Sequence, residues 1–447
     1  MKVGLKWIVS FSIITCIAIG GLFWSPQVGV PNTGEFLSED KIVGADVAWI
    51  LAAAGLVLLM TPGLSFFYGG MVGKKNVIST MLQSFIALGV ISIIWVVIGF
   101  SLSFGDSIGF TMNGEHYGII GNPLSYPFFN GVGVLPHKMM ASTIPFVLFA
   151  LFQMKFAVIT PALITGSFAE RVRFVSYLLF MVLFSIFIYT PLCHMVWYPD
   201  GLLNKYFGIK DFAGGTVVHM SAGFAALAGA LVVGNRKKPH HEPSNISYVL
   251  LGTGMLWFGW FGFNAGSALS ANATAAMAFG TTTIASGSAM MTWIFFDRIK
   301  GRKISALGAC IGAVVGLVAI TPGCGFVSIA ESIFIGFISA IVSNIMLNWK
   351  ALKKIDDTLD VFACHGVGGI MGMILTAIFA HGENASLLHG GFEIFAHHMM
   401  ALILVSLFAF FGSFVLYKIT DKIITLRVSE ESEELGLDIS QHEETLC

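Results

Sequence analysis

The stretch that decides the fold is DFAGGTVVHMSAGFAALAG, residues 211–229. It opens on a carboxylate, Asp211, and continues with small and apolar residues that a single imidazole, His219, interrupts. A run of this length and character is typical of a membrane-spanning helix. Because a polar side chain is costly to bury in lipid, His219 needs a partner from elsewhere in the chain.

The whole chain has the composition of an integral membrane protein. Of its 447 residues, 56% are hydrophobic and 11% are charged, whereas soluble domains carry about 25% charged residues. The formal net charge of -1 argues against a nucleic-acid partner. The six cysteines form no CxxC pair in the sequence, so they indicate neither a zinc site nor a disulfide framework.

The first residues have the pattern of a targeting segment. Residues 1–24 hold two lysines followed by an apolar run, which is typical of a cleavable signal peptide or an uncleaved first anchor. The polar residues 25–44 suit a periplasmic segment. We expect a transmembrane domain over 45–420 and a cytoplasmic tail over 421–447. Residues 429–447 hold seven acidic side chains, so this part of the tail is expected to be solvated.

Eleven further apolar segments are long enough to cross a membrane, given about 20 residues per helix. The connecting loops are short except for 105–142, which we expect to form an external cap. The segments lie near 46–69, 79–104, 143–167, 174–196, 213–233, 248–267, 275–296, 304–320, 328–348, 360–380 and 396–417.

Basic residues are distributed unevenly between alternate loops, and this bias sets the orientation. With the N-terminus outside, 17 lysines and arginines fall in inner loops and the tail, and 4 fall in outer segments. The sequence therefore predicts an N-out, C-in, multi-pass protein of the inner (cytoplasmic) membrane. The inner residues are Lys74, Lys75, Arg171, Arg173, Arg236, Lys237, Lys238, Arg298, Lys300, Arg302, Lys303, Lys350, Lys353, Lys354, Lys418, Lys422 and Arg427, and the outer ones are Lys41, Lys138, Lys205 and Lys210.

The segments also indicate an internal repeat. Segments one to five and six to ten form two sets of five, and an odd number of spans per set inverts the second copy. The fifth begins at Asp211 and carries His219, and the tenth begins at Asp360 and carries His365. Related positions in inverted repeats meet near the midplane. The predicted fold is therefore all-α, with two inverted five-helix repeats and a final helix, and His365 is the predicted partner of His219.

Two histidines at matching places favour a shared functional site over two separate packing roles. Asp211 and Asp360 stand at helix starts, where we expect them to give structural support as caps. A metal site needs three or four ligands, and the sequence has no HExxH motif and no evident third inward-facing ligand. A metal-dependent intramembrane enzyme is therefore a minor alternative, and no metal or cofactor is expected.

Aromatic residues accompany the histidines. Trp260, Phe263 and Ser267 recur at i, i+3 and i+7, so they share one helix face. Phe156 lies midway along the third segment, and Trp197 ends the fourth. Each alone is typical of a core or interfacial residue. Together with the histidines they suggest a route: an aromatic face that attracts a cation, a hydrophobic constriction, then imidazoles.

The order of these features resembles the ammonium transporter (Amt/Mep/Rh) family, of the bacterial Amt type. The match covers nearly all of residues 46–440. The motifs that carry it are TPGLSFFYGG (61–70), FAVITPALITGSFAERVRF (156–174), HMVWYPDG (194–201), DFAGGTVVH (211–219), GWFGFNAGSA (259–268), DVFACHGVGGI (360–370) and LRVSEESEELGLDISQHEE (426–444).

The resemblance implies a homotrimer of eleven-helix subunits, each with its own pore, and a transporter rather than an enzyme. It assigns Trp197 and Ser267, with Phe156 beside them, to an outer ammonium-binding site. In bacterial members a trimeric PII-type signal protein binds the cytoplasmic face and the tail, so the same partner is expected here, with residues 421–447 as a regulatory tail.

The resemblance also assigns roles along the pore. Phe156 and Phe263 match a stacked gate, His219 and His365 match twin pore histidines, and Asp211 matches the carboxylate that supports the outer site. A bare cation in a low-dielectric medium costs on the order of tens of kcal/mol, and a desolvated cation–π contact returns about 2 kcal/mol. We therefore expect ammonium to lose a proton near the gate and ammonia to pass the histidines. Histidines able to relay that proton favour electrogenic transport over a neutral ammonia channel. An ammonium sensor with little flux is the alternative.

Lys155 departs from the family pattern, which has an uncharged residue before the gate phenylalanine. It lies 12 residues into its predicted segment, roughly 18 Å at 1.5 Å per residue. Neighbouring helix residues point about 100° apart, so Lys155 is expected to face a helix or subunit interface. The alternative is that its charge repels ammonium beside Phe156.

Overall fold

The computed structural model describes residues 5–23, 35–239, 242–349 and 354–446, and most of them are helical. A helix pairs its backbone polar groups within one segment, and this is required in lipid because no water is available to hydrogen-bond them. Within the described residues, nine helices are long and apolar enough to cross a membrane, so the chain is a multi-pass membrane protein. They are α2 (Gly44–Met71), α3 (Lys74–Phe104), α4 (Phe146–Phe168), α5 (Phe174–Trp197), α6 (Gly215–Val233), α7 (Ile246–Ala268), α10 (Ile329–Leu347), α11 (Phe362–Phe379) and α12 (Phe392–Ile423).

Three further helices complete the apolar part of the fold. They are α1 (Leu5–Phe23), α8 (Ala273–Ile299) and α9 (Ala306–Ile320). The helix α8 carries several threonines and serines, and α9 is only 15 residues long. Helices thus occupy all eleven predicted segments, whereas eleven crossings, the N-out orientation and the inverted repeat stay predictions.

Polar side chains start four consecutive helices. Asn245, Asn272 and Ser305 each accept a backbone N–H in the first turn of α7, α8 and α9. Ser328 and Glu331 form a capping box at the start of α10. These residues satisfy donors that a helix start leaves unpaired.

Glycines allow the central helices to approach closely. A Cβ at Gly252 of α7 would meet the backbone of Phe67 in α2, and a Cβ at Gly223 of α6 would meet the backbone of Gly366 in α11. The helix pairs that meet, α2 with α7 and α6 with α11, hold the first and fifth places of the two predicted sets of five.

A two-stranded hairpin corrects the purely helical prediction. Strands β1 (Ser107–Met112) and β2 (Glu115–Gly121) pair antiparallel. The turn is Asn113–Gly114, with positive φ at both residues, and Asn-Gly is a strong hairpin signal. The face of the molecule that carries this hairpin is called the hairpin face below.

The tail packs against the opposite face, called the tail face. After α12 it forms two short helices, α13 (Glu430–Leu435) and α14 (Leu437–His442). Leu437 and Asp438 are buried. The Asp438 carboxylate accepts the backbone N–H of Ser79 at 2.8 Å, and the Leu437 N–H donates to Asn76 Oδ1 at 2.8 Å. The prediction of a solvated tail is therefore wrong for these residues, because Leu437 supplies an apolar anchor and Asp438 caps the start of α3.

Buried charges join the loops of the tail face. Arg236 pairs with Asp356 at 2.7 Å and with Glu170 at 2.8 Å. Arg171 donates to the Asp356 carbonyl oxygen at 2.5 Å and to Thr358 Oγ1 at 2.6 Å. The loops after α4, α6 and α10 are thus held as one unit.

The N-terminal predictions are only partly covered. The helix α1 falls within the predicted signal segment 1–24. Residues 1–4 and 24–34, where the signal would end and the segment 25–44 would begin, lie outside the described residues.

Candidate functional site

Asp211 fixes the start of α6. Its Oδ1 accepts the backbone N–H groups of Gly214 at 2.8 Å and Gly215 at 2.7 Å. Its Oδ2 accepts the N–H of Thr216 at 2.7 Å and also the Thr216 hydroxyl. The chain enters the helix through Gly214, whose φ of 118° favours glycine. The carboxylate is buried and committed to these bonds, which is the geometry of a helix cap.

The start of α11 differs from the prediction. The carboxylate that accepts the first amide, that of Phe362, is Asp357 at 2.7 Å, three residues before the predicted Asp360. Asp360 has a φ of 57°, and its carbonyl oxygen accepts the N–H of Cys364 at 3.0 Å. Burial raises the pKa of Asp357 to about 6. Sequence reasoning missed Asp357 because three aspartates fall within five residues.

Both predicted histidines lie in π-helical turns. His219 belongs to Gly215–Met220 and His365 to Phe362–Gly366. A π turn inserts one residue into a helix and occurs frequently at functional sites. Here it lets each helix begin at an aspartate cap and still turn its imidazole inward.

The two imidazoles are in contact and buried. The His365 Nδ1 lies 3.3 Å from the His219 Nδ1, and the ring centroids are 5.4 Å apart. One Nδ1 carries the shared proton and the other accepts it, so two neutral rings complete this bond. The Nε2 of His219 is buried without a hydrogen-bond partner among the described residues.

Aromatic rings stack on the other side of His219. The ring centroid of Trp260 lies 5.3 Å and that of Phe263 lies 5.8 Å from the imidazole. The Trp260 indole N–H donates to Thr321 Oγ1 at 2.9 Å, so the indole presents its face to His219. Phe263 and Trp260 therefore share the helix face that the sequence predicts.

The aromatic column continues to the hairpin face. Phe156 and Phe263 lie 4.3 Å apart between ring centroids, and both are buried. Trp197 meets Phe156 edge-on at 5.9 Å. Its indole N–H donates to the Asp211 carbonyl oxygen at 3.0 Å. The structure thus brings the predicted site residues into one column, in the order Trp197, Phe156, Phe263, His219 and His365.

A cavity of about 200 Å³, called the vestibule below, opens beside Phe156 and Trp197 at the hairpin face. Ser267 lies in it, and its hydroxyl donates to the Phe263 carbonyl oxygen at 2.7 Å, which leaves its lone pairs free to accept. Among the described residues no carboxylate lines this cavity. The lining residues are Phe104, Met139, Met140, Phe149, Gln153, Phe156, Trp197, Pro199, Phe212, Ser267 and Leu269.

A much smaller space lies on the other side of His365. This tail-side cavity measures about 10 Å³, which is at the lower limit for one water molecule. The Tyr68 hydroxyl at its edge donates to the Leu163 carbonyl oxygen at 2.9 Å. The lining residues are Phe67, Tyr68, Met71, Ile311, Val314, Leu359, Val361, Cys364 and His365.

Lys155 stays out of both cavities. It is half-buried on α4, and the residues described here offer it no hydrogen bond or ion pair. Gln153, two residues earlier on the same helix, does line the vestibule. Sequence reasoning missed Gln153, although its i−3 spacing from Phe156 places both on one helix face.

No group of three or more histidine, cysteine, aspartate or glutamate side chains within the described ranges is arranged to hold a metal ion. The chemistry available at this site is therefore that of imidazoles, aromatic faces, a hydroxyl and an amide.

Fold and site together define a multi-pass membrane protein in which an uncharged, aromatic vestibule leads to a buried histidine pair. The chain belongs to the Ammonium Transporter Family, whose model matches residues 48–446. The resemblance that the sequence motifs carry is thereby confirmed.

Relatives of this family are similar over nearly the full length. The ammonium transporter of Aquifex aeolicus is 42% identical over 417 residues, which covers 92% of this chain and 95% of that protein. The ammonium transporter of Bacillus subtilis is 43% identical over 412 residues, covering 89% of this chain and 97% of that protein. Both relatives are named as transporters, not as enzymes.

Solved structures share the fold. Candida albicans Mep2 superposes with a TM-score of 0.80 at 30% identity, covering 88% of each chain. A structure described as a sensor Amt protein superposes with a TM-score of 0.82 at 30% identity, covering 91% of this chain and 100% of that chain.

Proposed function

We propose that this chain transports ammonium across a membrane. Ammonium is recruited in the vestibule by Trp197, Phe156 and Ser267, loses a proton near the Phe156–Phe263 gate, and moves as ammonia past the histidine pair. The observation that carries the proposal is the unbroken contact series from Trp197 to His365, which begins at the vestibule of about 200 Å³ and ends at the tail-side cavity of about 10 Å³.

The lining of the vestibule suits a small monovalent cation. Aromatic faces attract a cation at about 2 kcal/mol each when desolvated, and the Ser267 hydroxyl oxygen accepts a hydrogen bond from it. Without a carboxylate in the lining the site does not hold the cation so tightly that release becomes slow. Beyond the gate the column consists of buried aromatic rings and the histidine pair, and burying a charged ion there is costly, which favours the neutral molecule.

The histidine pair provides a path for the proton. A Nδ1–H···Nδ1 bond transfers its proton between the rings with little movement, because the nitrogens are 3.3 Å apart. The Nε2 of His219 is buried without a hydrogen-bond partner among the described residues, so it is free to accept the incoming proton. We therefore propose electrogenic transport, with one charge per ammonia.

An ammonium sensor with little flux is the second candidate. Two observations favour it: the tail-side cavity measures only about 10 Å³, and a sensor Amt protein shares the fold at a TM-score of 0.82. In this case the vestibule binds ammonium and the tail face passes the signal to a separate protein.

Assembly and placement follow the family. We propose a homotrimer in an inner (cytoplasmic) membrane with eleven spans, the hairpin face outside and the tail face in the cytoplasm. The exposed charged side chains of α13 and the basic loop beside it make the tail face suitable for a PII-type signal protein. Their ion pairs are Lys237–Glu430 and Lys238–Glu434.

The test is an electrical recording on purified protein in liposomes. We expect an ammonium jump to drive a saturable current, and His219→Ala or His365→Ala to abolish it by removing the proton path. His397→Ala, which removes a histidine of α12 outside the column, should keep the current. A current that survives both pore substitutions would contradict the relay, and tight ammonium binding without any current would favour the sensor.

A further inference from the structure

We propose that Gln153 is a second hydrogen-bond acceptor for the bound cation and that it sets the preference for ammonium over methylated amines. The inference rests on the proposed function, since it concerns the same vestibule. It starts from an orphan atom: the side-chain carbonyl oxygen of Gln153 is buried and has no hydrogen-bond partner among the described residues.

The orphan oxygen belongs to a residue of the vestibule wall. Gln153 lines the same cavity as Phe156, Trp197 and Ser267. It stands three residues before Phe156 on α4, so both side chains leave the helix on one face. A buried carbonyl without a donor costs free energy that the empty protein must carry, and a ligand with N–H groups removes that cost.

The lining offers the cation few other oxygen acceptors. The Trp197 indole donates to the Asp211 carbonyl and so presents a π face, and Ser267 keeps only acceptor capacity because its proton is committed to Phe263. Apart from backbone carbonyls, the side-chain oxygens of this wall are those of Gln153 and Ser267. Two oxygen acceptors and the aromatic faces together match the four N–H donors of ammonium.

This arrangement distinguishes ammonium from other cations by the number of N–H groups that each cation can donate. Methylammonium has three N–H groups and one methyl group, and the methyl must turn toward some part of the wall. A wall with two oxygens and aromatic faces leaves it the aromatic side only, whereas potassium, with no N–H, makes no directional bond to either oxygen. An apolar side chain at position 153 would accept the methyl group and lose one bond to ammonium.

The chain contains a matched control for the loss of a buried amide. Gln83 lies on α3, is 1% exposed, and its side-chain carbonyl oxygen is likewise without a partner among the described residues. It does not line the vestibule. Gln83→Leu therefore removes the same chemical group from a membrane helix and leaves the cation site intact.

The experiment measures uptake of ammonium and of methylammonium by the full chain in liposomes, for Gln153→Leu, Gln153→Glu and Gln83→Leu. Loss of a hydrogen bond to a charged group predicts that Gln153→Leu raises the ammonium KM roughly tenfold. The methylammonium KM should rise by less, so the ratio of the two constants falls toward one. Gln153→Glu keeps the acceptor and adds charge, and it should lower both KM values.

The ratio of the two KM values distinguishes a role of Gln153 in cation recognition from a role in packing alone. A purely structural role would lower the maximal rate, or raise both constants equally, and that outcome would overturn the inference, as would an unchanged ratio. If Gln153→Leu does not reach the membrane, the KM values of Gln153→Glu decide alone, and an increase in them counts against the proposal. Absence of saturable uptake by the unmodified chain would instead refute the proposed transport.

Discussion

The two sides of the buried histidine pair differ in size and in lining. On the hairpin side the vestibule measures about 200 Å³ and presents aromatic faces with two side-chain oxygens. On the tail side the cavity measures about 10 Å³ and is lined mainly by aliphatic and aromatic side chains such as Leu359 and Val361. We propose that the first side collects a cation and that the second excludes it.

This asymmetry separates recognition from passage. A site that bound ammonium strongly at the histidines would hold it there, whereas in the proposed mechanism the vestibule selects the cation before its proton is removed. We propose that the tail-side cavity, at about 10 Å³ and with mainly apolar walls, disfavours hydrated ions beyond His365. Selectivity in this protein is thus expected to arise at the vestibule and to be kept by the tail-side cavity.

The largest effect on the open side is expected from Trp197→Leu. The substitution removes the indole that we propose to face the cation, and a loss of about 2 kcal/mol corresponds to a KM for ammonium raised roughly 30-fold. Concentration dependence of the current in liposomes measures it. Trp257→Leu, at a half-buried position of α7 that lines neither cavity, should leave the KM unchanged, and an equal effect of both substitutions would contradict a role of the vestibule in recruitment.

Asp357, which caps the helix start before His365, provides a test based on the pH dependence of folding stability. Burial raises the pKa of Asp357 to about 6, above the unfolded value of about 4. Ionising it therefore costs folding free energy, which is absent below pH 4 and complete above pH 6, on the order of 2 to 3 kcal/mol. Relative to the unmodified chain, Asp357→Asn should gain thermal stability as pH rises from 4 to 7.

The neighbouring carboxylate gives the opposite control. Burial alone would raise the pKa of Asp356, but hydrogen bonds and charge from Arg236 and Arg171 hold it below its usual value. Asp356→Asn should therefore lose stability relative to the unmodified chain as pH rises. Parallel pH profiles for the two variants would contradict the assignment of Asp357 as the buried cap.

Leu359→Ala is expected to act on the closed side. Leu359 is 5% exposed and lines the tail-side cavity, so truncation enlarges the space beyond His365 by a few methyl-sized groups. We expect the maximal rate to rise a few-fold while the KM set at the vestibule stays constant. Val318→Ala, a similar truncation of the core that lines neither cavity, is the control. A change in KM for Leu359→Ala would show that the two sides are not independent.

Most residues of the column could be predicted from the sequence, and the features that were not predicted have physical explanations. The roles of His219, His365 and the aromatic residues could be predicted because a polar side chain in a membrane span is costly unless it has a partner or a function. The hairpin was not predicted, although Asn113–Gly114 is a strong turn signal, because its two strands are short and lie within a long loop between spans.

The other wrong predictions arose where neighbouring residues could play the same role or where a few residues outweigh the local composition. Asp357 and Asp360 are equivalent by sequence, and only the three-dimensional path, with a positive φ at Asp360, gives the Phe362 amide to Asp357. The acidic tail suggested solvation, whereas one leucine and one aspartate, Leu437 and Asp438, are enough to dock it. The π turns leave no mark on periodicity because they add a single residue.

The smallest effect is expected at Lys155. It is half-buried on α4 and lies outside both cavities, so it belongs to neither side of the comparison. Lys155→Met should leave the ammonium current within about twofold of the unmodified value, as for an ordinary surface change. A clear increase would indicate repulsion of ammonium by its charge, and a fall would contradict both interpretations.

The most direct test of the account is the ion dependence of the current through the unmodified chain in liposomes. Jumps of ammonium, potassium and sodium to equal concentrations should give a saturable current for ammonium alone, together with ammonia accumulation inside. A potassium current of similar size would contradict selection at the vestibule. Ammonium binding without current would mean that the tail-side cavity stays closed.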